Sequence, residues 1–317
     1  MKILYSIHRL YLFLLLVSFV FYATAGMAAE SPYETIERAA SYLLKHQNPD
    51  GGWPLVAGEG SDAEVTAMVL LGLMLKGLDT NSDDIYKGIL YLTTHQKADG
   101  SWNGNTAHTI FALMALTRAE TGSEARLKGL KWIKEAQNED GSWGREKNQA
   151  GNPLYTGAVL AGLGQLDFNR SFSPVPKAAD WLANHINEDG GWSMMRGASS
   201  DVLVTSWVLQ GLALAYDIDP QIAWLKQVQN PDGGFGKQKG QPSDPEVTAS
   251  AILALAAGED PLNTDKVAAG YLRSVQQKDG SFVSATPIEL KEPKANLQTT
   301  AFALWAMYAR DMKKRSK

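Results

Sequence analysis

Apolar residues recur along this chain in two helical patterns that alternate from end to end. In the first pattern they line one side, with polar and often basic residues opposite, which is typical of a helix between core and water. It predicts helices over Ile36–Gln47, Ile85–Gln96, Ala125–Gln137, Pro176–Ile186, Pro220–Gln229 and Thr264–Gln276. In the second pattern apolar and small residues occupy every side, which predicts buried helices. These cover Ala67–Leu75, Ile110–Thr117, Gly157–Leu166, Ser206–Ala215, Ala249–Ala257 and Ala301–Ala309.

A short motif separates the two helices of each pair. An aromatic and an aliphatic residue precede a Gln, and Asp-Gly-x-Trp or Asp-Gly-x-Phe follows. The six Asp-Gly pairs are Asp50-Gly51, Asp99-Gly100, Asp140-Gly141, Asp189-Gly190, Asp232-Gly233 and Asp279-Gly280. Gly in this place closes a helix, because it accepts the left-handed conformation. A spacing of roughly 45 residues that fills the chain indicates a repeat protein.

Each buried helix has a common start, an Asp or Asn followed four residues later by Thr. These residues are Asp62, Asn105, Asn152, Asp201, Asp244 and Asn296. Short polar side chains are typical of a helix N-terminus, where they meet free amides. We predict an all-α fold, a single closed α6/α6 toroid of six helix-hairpin repeats over residues 29–317. An open solenoid would need polar capping repeats, and neither end has one.

The segment from Arg38 to Trp53 resembles the QW motif of the squalene-cyclase and protein-prenyltransferase repeat superfamily, and repeats two and three match it closely. Repeat four departs at Ile186, where the motif has Gln. Repeats five and six end in Phe235 and Phe282 in place of Trp. The resemblance implies one terpenoid-cyclase-like toroid, in which the motif residues tie the end of one outer helix to its neighbour.

Residues 1–28 have the pattern of a secretory signal peptide. Lys2 and Arg9 precede the apolar stretch Leu10–Tyr22, and small residues lead to Ala25 and Ala28. We expect cleavage after Ala25 or Ala28 and export to the periplasm or the exterior. An uncleaved membrane anchor is the alternative, because the stretch can be regarded as long enough to span.

Composition excludes several classes of protein. The chain has no Cys, which rules out disulfides, zinc-dependent protein prenyltransfer and thioester chemistry. The net charge is −4, without a strongly basic face, which argues against nucleic acid as a partner. We expect no metal and no cofactor.

The predicted toroid places all connections from outer to inner helices on one face, beside six inner-helix N-termini that favour anions. The longer connections carry Arg and Lys, so we expect a basic-rimmed mouth for an anionic or amphiphilic ligand. A merely solvated rim is the alternative. Candidate ligand-binding residues are His108, Tyr155, Asp201, Trp207, Trp305, Arg196 and Lys237.

Two inner-helix starts carry paired acids, Asp62 with Glu64 and Asp244 with Glu246. They resemble the Asp-x-Asp-Asp-Thr-Ala segment of class II terpene cyclases, whose middle Asp protonates the isoprenoid. The resemblance implies Glu64 or Glu246 as acid, with the Asp residues in support. The alternative is structural. Ser61-x-x-Glu64 and Ser243-x-x-Glu246 have the form of capping boxes.

Three functions follow from these patterns. The first is an exported toroid that binds a hydrophobic or amphiphilic ligand, or a cell-envelope protein, without catalysis. The second is a divergent class II cyclase of isoprenoids. The third is a polysaccharide-active barrel, suggested by Asn48 to Pro54, which resembles a segment of α/α-barrel lyases. An apolar cavity beneath Glu64 favours the cyclase, an open groove favours sugar, and a plugged centre favours protein contacts.

Overall fold

The computed structural model describes residues 32–213, 216–258, 264–287 and 289–315. The predicted signal peptide lies outside this range. The outer helices are α1 (Pro32–Lys45), α3 (Asp83–Thr94), α5 (Ser123–Glu135), α7 (Pro174–Ala183), α9 (Asp219–Val228) and α11 (Thr264–Val275). The inner helices are α2 (Ala63–Lys76), α4 (Thr106–Arg118), α6 (Pro153–Gln165), α8 (Val202–Leu212), α10 (Pro245–Ala257) and α12 (Leu297–Arg315).

The six inner helices form a closed ring. Each packs on the inner helix before it and the one after it, and α12 packs on α2, so that the sixth repeat meets the first. The outer helices pack on the outside of this ring, with α1 against both α2 and α12. The predicted all-α toroid of six helix pairs is confirmed.

The motif Gln forms the joint between successive outer helices. The Nε2 of Gln47 donates to its own repeat at Gly51 O and to the next outer helix at Asp84 O, both at 2.8 Å. Gln96, Gln137 and Gln229 make the same pair of bonds. Gln276 closes the ring, because it donates to Thr35 O at 3.0 Å on the first outer helix. The tie expected from the motif is therefore present in five repeats.

The joint between α7 and α9 differs from the other five. Ile186 replaces the Gln there, cannot donate these bonds, and is 38% exposed. The motif Gly is also less closely packed. A Cβ on Gly51 would lie 2.5 Å from a carbonyl oxygen of the next helix, whereas one on Gly190 would lie 3.8 Å from Trp224. We call this contact between repeats four and five the unlatched joint.

The motif aromatic fixes each inner helix to the preceding loop. The buried indole of Trp53 donates to Leu43 O at 2.8 Å, and its backbone N–H donates to Thr66 Oγ1 at 2.8 Å. All six repeats share the bond to Thr, including those with Phe235 and Phe282. This Thr is the one found four residues after the Asp or Asn at each inner-helix start. The Asp or Asn caps the helix, and the Thr binds it to the preceding loop.

Two short antiparallel hairpins hold the loops of the first and sixth repeats. Strand β1 (Trp53–Pro54) pairs with β2 (Ser61–Asp62), and β3 (Phe282–Ser284) pairs with β4 (Lys294–Asn296). The N–H of Leu297 donates to Leu55 O at 2.9 Å and links the two loops. No helix within the described ranges is long and apolar enough to cross a bilayer.

Candidate functional site

A cavity of about 160 Å³ lies on the ring axis at the N-terminal ends of the inner helices. Equivalent positions at the starts of the six inner helices form its wall. The residue two positions after each capping Asp or Asn faces the cavity in all six repeats. These residues are Glu64, Ala107, Leu154, Leu203, Glu246 and Gln298. The residue one turn further on forms the floor in five repeats, as Met68, Phe111, Ala158, Trp207 and Phe302.

The upper layer of this cavity has a polar half and an apolar half. Glu246, Gln298 and Glu64 stand on α10, α12 and α2, which are consecutive in the ring. The remaining three positions, on α4, α6 and α8, are Ala or Leu. The floor continues the apolar half with an edge-to-face cluster, in which Trp207 lies 5.5 Å from Phe111 and 5.6 Å from Phe302.

The Asp residues of the two acidic pairs are helix caps. Asp62 Oδ1 accepts from Glu64 N at 2.8 Å and Val65 N at 3.0 Å. Asp244 caps α10 in the same way, and its Oδ2 accepts from Ser284 Oγ at 2.7 Å. The capping-box interpretation is wrong, because Ser61 and Ser243 precede the cap and donate to Asp50 and Asp232 of the motif. The two Glu side chains therefore have no capping role.

Glu64 contacts His108. The Oε2 of Glu64 lies 3.1 Å from Nε2 of His108, and Asn103 Nδ2 donates to the other ring nitrogen at 3.1 Å. Because Nδ1 accepts from Asn103, the proton of the neutral ring lies on Nε2, the ring atom that approaches Glu64. Burial lowers the pKa of His108, so the ring is neutral at pH 7. The neutral imidazole of His108 therefore carries no positive charge that would offset the negative charge of an ionised Glu64.

The pKa of Glu64 is raised to about 8. Burial is the main cause, and the neighbouring carboxyls of Asp62, Glu289 and Glu246 act in the same direction, whereas Arg145 opposes them. At pH 7 Glu64 is mostly protonated.

Glu246 has neutral partners on α12. Its Oε1 accepts from Gln298 Nε2 at 2.8 Å and its Oε2 from Thr299 Oγ1 at 2.5 Å. The residue is 2% exposed, and burial raises its pKa to about 7, although both hydrogen bonds lower it. The carboxyls of Asp244 and Glu289 raise it further. Glu246 makes no ion pair with Lys, Arg or His among the described residues.

The predicted ligand-binding residues divide between the cavity and other places. Tyr155, Asp201, Trp207 and Lys237 line the cavity. Asp201 caps α8, and its Oδ2 lies 3.8 Å from Lys237 Nζ. Burial raises the pKa of both Asp201 and Tyr155. His108 stands behind Glu64 and acts on the cavity through it.

Two predicted residues lie elsewhere, which corrects their placement. Arg196 is exposed and lines a crevice on the outside of repeat four, beside Ile186. Trp305 is buried one turn below the floor, where its ring stacks on Phe302 at 6.0 Å. It packs against the cavity floor but is not part of the wall.

The mouth is less basic than expected. Arg145 and Lys237 reach the cavity, but Lys147 pairs with Glu135 and Lys294 with Glu292. Four carboxyl groups line the same wall, those of Glu64, Asp201, Glu246 and Glu289. The expectation of a positive rim is therefore wrong for the central cavity.

Sequence reasoning missed Gln298, Thr299 and Glu289 as site residues. The register supplies a signal for the first, because Gln298 stands two residues after its cap just as Glu64 and Glu246 do. Thr299 matters only because ring closure brings α12 beside α10. Glu289 lies in a long loop whose course no periodicity fixes. No group of His, Asp and Glu suited to a metal ion occurs in the described part of the chain.

Comparison with known proteins agrees with this geometry. Residues 13–111 and 106–207 match the squalene-hopene cyclase C-terminal domain, which covers more than half of the chain. The chain belongs to the squalene-hopene cyclase C-terminal domain family. Residues 199–314 match the prenyltransferase alpha-alpha toroid domain.

Curated relatives of this family member are much longer than the regions they share with it. Protostadienol synthase A of Arthroderma gypseum is 36% identical over 100 residues, which are 28% of this chain and 13% of the synthase. Drimenyl diphosphate synthase of Streptomyces showdoensis is 31% identical over 87 residues, 26% of this chain and 16% of that protein.

Solved structures share the whole toroid. A protein from Actinoplanes superposes with a TM-score of 0.70 at 19% identity, over 88% of this chain and 100% of that one. The type II terpene cyclase MstE from Scytonema superposes with a TM-score of 0.67 at 17% identity, over 89% and 99%. An alpha-amylase from Clostridium perfringens reaches 0.66 at 14% identity, over 87% and 97%. At these identities the likeness establishes the fold, and the fold carries more than one chemistry.

Proposed function

We propose that this squalene-hopene-cyclase-like toroid binds a small amphiphile in its central cavity. The division of the cavity wall carries the proposal. The polar half, Glu246, Gln298 and Glu64, faces the polar end of the ligand, and the aromatic floor and the apolar half face the hydrocarbon end. Enclosed sites of this kind, apolar with a few convergent polar groups, are typical of small-molecule binding.

The size of the cavity limits the ligand. A dry apolar cavity of about 150 Å³ holds one benzene molecule. The cavity here has about 160 Å³, so a head group with about six carbons occupies it fully. A longer chain has to extend outward past the exposed side chains of Arg145 and Lys237 or displace part of the floor.

The similar fold of MstE supports an amphiphilic ligand. A variant of that cyclase has been solved with geranylgeranyl dihydroxybenzoate as substrate. That molecule joins a polar head to an isoprenoid chain, which is the type of ligand that a half-polar cavity accommodates.

A cavity-filling substitution tests the proposal. Ala158→Leu adds apolar bulk at the floor of α6, where we expect 1-hexanol binding, measured by calorimetry, to weaken at least tenfold. Ala183→Leu is the matched control, because Ala183 is exposed on the outer helix α7. Equal binding by both variants and the unaltered protein would place the ligand elsewhere, and absence of binding to the unaltered protein by 1-hexanol and by its charged six-carbon analogues alike would refute the proposal.

A second candidate function is the acid-catalysed cyclisation of an isoprenoid, and Glu64 is the observation that favours it. A carboxyl with a pKa of about 8 is a proton donor at neutral pH. His108 fixes its orientation, and the floor presents Trp207, Phe111 and Phe302, whose π faces stabilise cations. Glu246 is the second such acid on the same wall.

Deuterium incorporation tests this candidate. We expect geraniol, a ten-carbon isoprenoid alcohol closer to the size of the cavity, to give in D₂O a cyclised isomer that carries one carbon-bound deuterium, because an alkene takes a deuteron from Glu64 and the cation later loses a proton. Glu64→Gln should abolish the product, whereas Glu135→Gln on the outer surface should not. A product that survives in Glu64→Gln would assign the acid to another residue, and no product at all counts against cyclisation.

We also propose that residues 1–28 direct export, on the strength of the charged start, the apolar stretch and the small residues before Ala28. Intact-mass measurement of the protein from cells tests this. Mature chains that begin at Gly26 or Ala29 are expected, and a full-length mass in the membrane fraction would favour the uncleaved anchor. Binding of a cell-envelope protein and action on a polysaccharide stay predictions.

A further inference from the structure

The two carboxyl groups in the polar half of the cavity form no ion pair with Lys or Arg among the described residues, although Arg145 also lines the cavity. Lys237 pairs with Asp201 on α8, at the edge of the apolar half. Glu246 has the neutral donors Gln298 and Thr299, and Glu64 has the neutral ring of His108. Glu64 and Glu246 therefore border the cavity without an ion pair to Lys or Arg among the described residues, while Lys237 is engaged by Asp201 and Arg145 acts on Glu64 without contacting it.

The same side of the ring axis carries a further polar group. Ser250 stands on α10 one turn below Glu246, at the position that supplies the cavity floor in the other five repeats. It is fully buried, and its hydroxyl has no hydrogen-bond partner among the described residues. Ser250 does not itself line the cavity, but its hydroxyl makes α10 polar at the two successive turns that supply the wall and the floor in the other helices.

We propose that the cavity selects amphiphiles whose polar head is a primary ammonium group. This inference rests on the proposed function and specifies its ligand class. An ammonium head offers three N–H donors and one positive charge. The carboxyls of Glu64 and Glu246 and the amide oxygen of Gln298 offer acceptors from three adjacent helices, and charge-assisted bonds of this kind are the stronger ones. The six-carbon tail then lies against Trp207 and Phe302.

Protonation of Glu64 and Glu246 lowers the negative charge of the cavity wall, and this couples the binding of a cation to pH. Groups around Glu64 are Asp62, His108, Arg145, Glu246 and Glu289, and those around Glu246 are Asp244, Glu64, Glu289, Gln298 and Thr299. A cation that binds between the two carboxyls stabilises their ionised forms and so lowers both pKa values. Binding at neutral pH must therefore release protons, and affinity must rise with pH until both groups are ionised.

Three probes of equal chain length test the inference: hexylammonium, 1-hexanol and hexanoate. Calorimetry at pH 8.5 should give a dissociation constant for hexylammonium at least tenfold below that of 1-hexanol, with hexanoate weakest. Titration of hexylammonium in two buffers of different ionisation enthalpy at pH 7 should show proton release. From pH 6 to pH 8.5 the hexylammonium constant should fall at least ~10-fold, while that of 1-hexanol stays level.

Isosteric variants locate the effect. Glu246→Gln and Glu64→Gln should each reduce the preference for hexylammonium and its pH dependence, and Glu135→Gln should leave both unchanged. Equal or tighter binding of 1-hexanol or hexanoate overturns the ammonium inference but leaves the proposed amphiphile site in place. If none of the three probes binds, both fail. Circular dichroism of each variant confirms that it is folded before the constants are compared.

Discussion

At the scale of single residues, position relative to the helix cap decides what a side chain does. Glu64 and Glu246 both stand two residues after a capping Asp and both face the ring axis. Their neighbours differ because the adjoining helices differ. Glu64 meets His108 on α4, whereas Glu246 meets Gln298 and Thr299 on α12. The same position after the helix cap therefore holds a carboxyl beside a base in one repeat, Glu64, and a carboxyl bound by neutral donors in another, Glu246.

Glu246 makes stability depend on pH in an unusual direction. Its pKa is about 7 in the folded protein against an ordinary value of 4.5, so the folded state binds the proton more tightly than the unfolded state. The resulting stabilisation is complete below pH 4.5 and is lost as pH rises to 7. Between pH 4.5 and pH 7 this lowers the free energy of unfolding of the unaltered protein by an amount on the order of 3 kcal/mol. We expect that decrease to be absent in Glu246→Gln.

Urea titrations at pH 5, 6, 7 and 8 measure this effect. The side-chain amide that Glu246→Gln introduces can accept from Thr299, and Gln298 can rotate its own amide to accept from it, so the packing is kept. Glu135→Gln, on the exposed side of α5, should retain the slope of the unaltered protein. Parallel pH curves for Glu246→Gln and the unaltered protein would mean that Glu246 is ionised in the folded state at all these pH values.

At the scale of helices and joints, the motif Gln distinguishes strong contacts from the weak one. Five joints have a Gln side chain that donates to two carbonyls and a Gly packed against the next helix. The unlatched joint has neither feature, because Ile186 cannot donate and Gly190 is further from α9. Local opening of the ring should therefore be most frequent between repeats four and five.

Ile186→Gln should latch this joint. Two added hydrogen bonds, one to Gly190 O and one to the start of α9, are worth about 1–3 kcal/mol together. Urea denaturation should show the gain, and hydrogen exchange should show slower exchange in α7 and α9. Lys177→Gln, an exposed change on the same helix, is the control. Unchanged exchange in Ile186→Gln would mean that another feature limits this joint.

The sequence predicted the helices well and the site only in part. The repeated cap, the Thr four residues later and the Gly of the motif are local signals, and they fixed all inner-helix starts. The choice between Ser61 and Asp62 as cap depended on a bond from Ser61 to Asp50 across the loop. The partners of Glu246 depended on ring closure, which no local pattern contains.

At the scale of the whole molecule, closure makes the last joint equivalent to the internal ones. Gln276 donates to Gly280 O and Thr35 O at 3.0 Å, and Arg38 donates to its Oε1 at 2.7 Å. Gln276→Leu should therefore cost at least as much stability as Gln96→Leu, about 1–3 kcal/mol for the two carbonyl bonds in each case, because it also removes the acceptor of Arg38. Thermal or urea denaturation checks this. A negligible cost for Gln276→Leu beside a clear cost for Gln96→Leu would show that the ring is open in solution.

The joint between the sixth repeat and the first also has a topological meaning. Five of the six joints share the Gln contact, and the sixth inner helix packs on the first, so the order of the repeats is cyclic and the chain ends interrupt it at one of the latched joints. A circular permutant that begins at α3, with a linker from the end of α12 to α1, would preserve all six joints and the central cavity. The fold therefore depends on the cyclic order of the repeats, and the six possible starting points differ only in whether the chain ends fall at a latched joint or at the unlatched one.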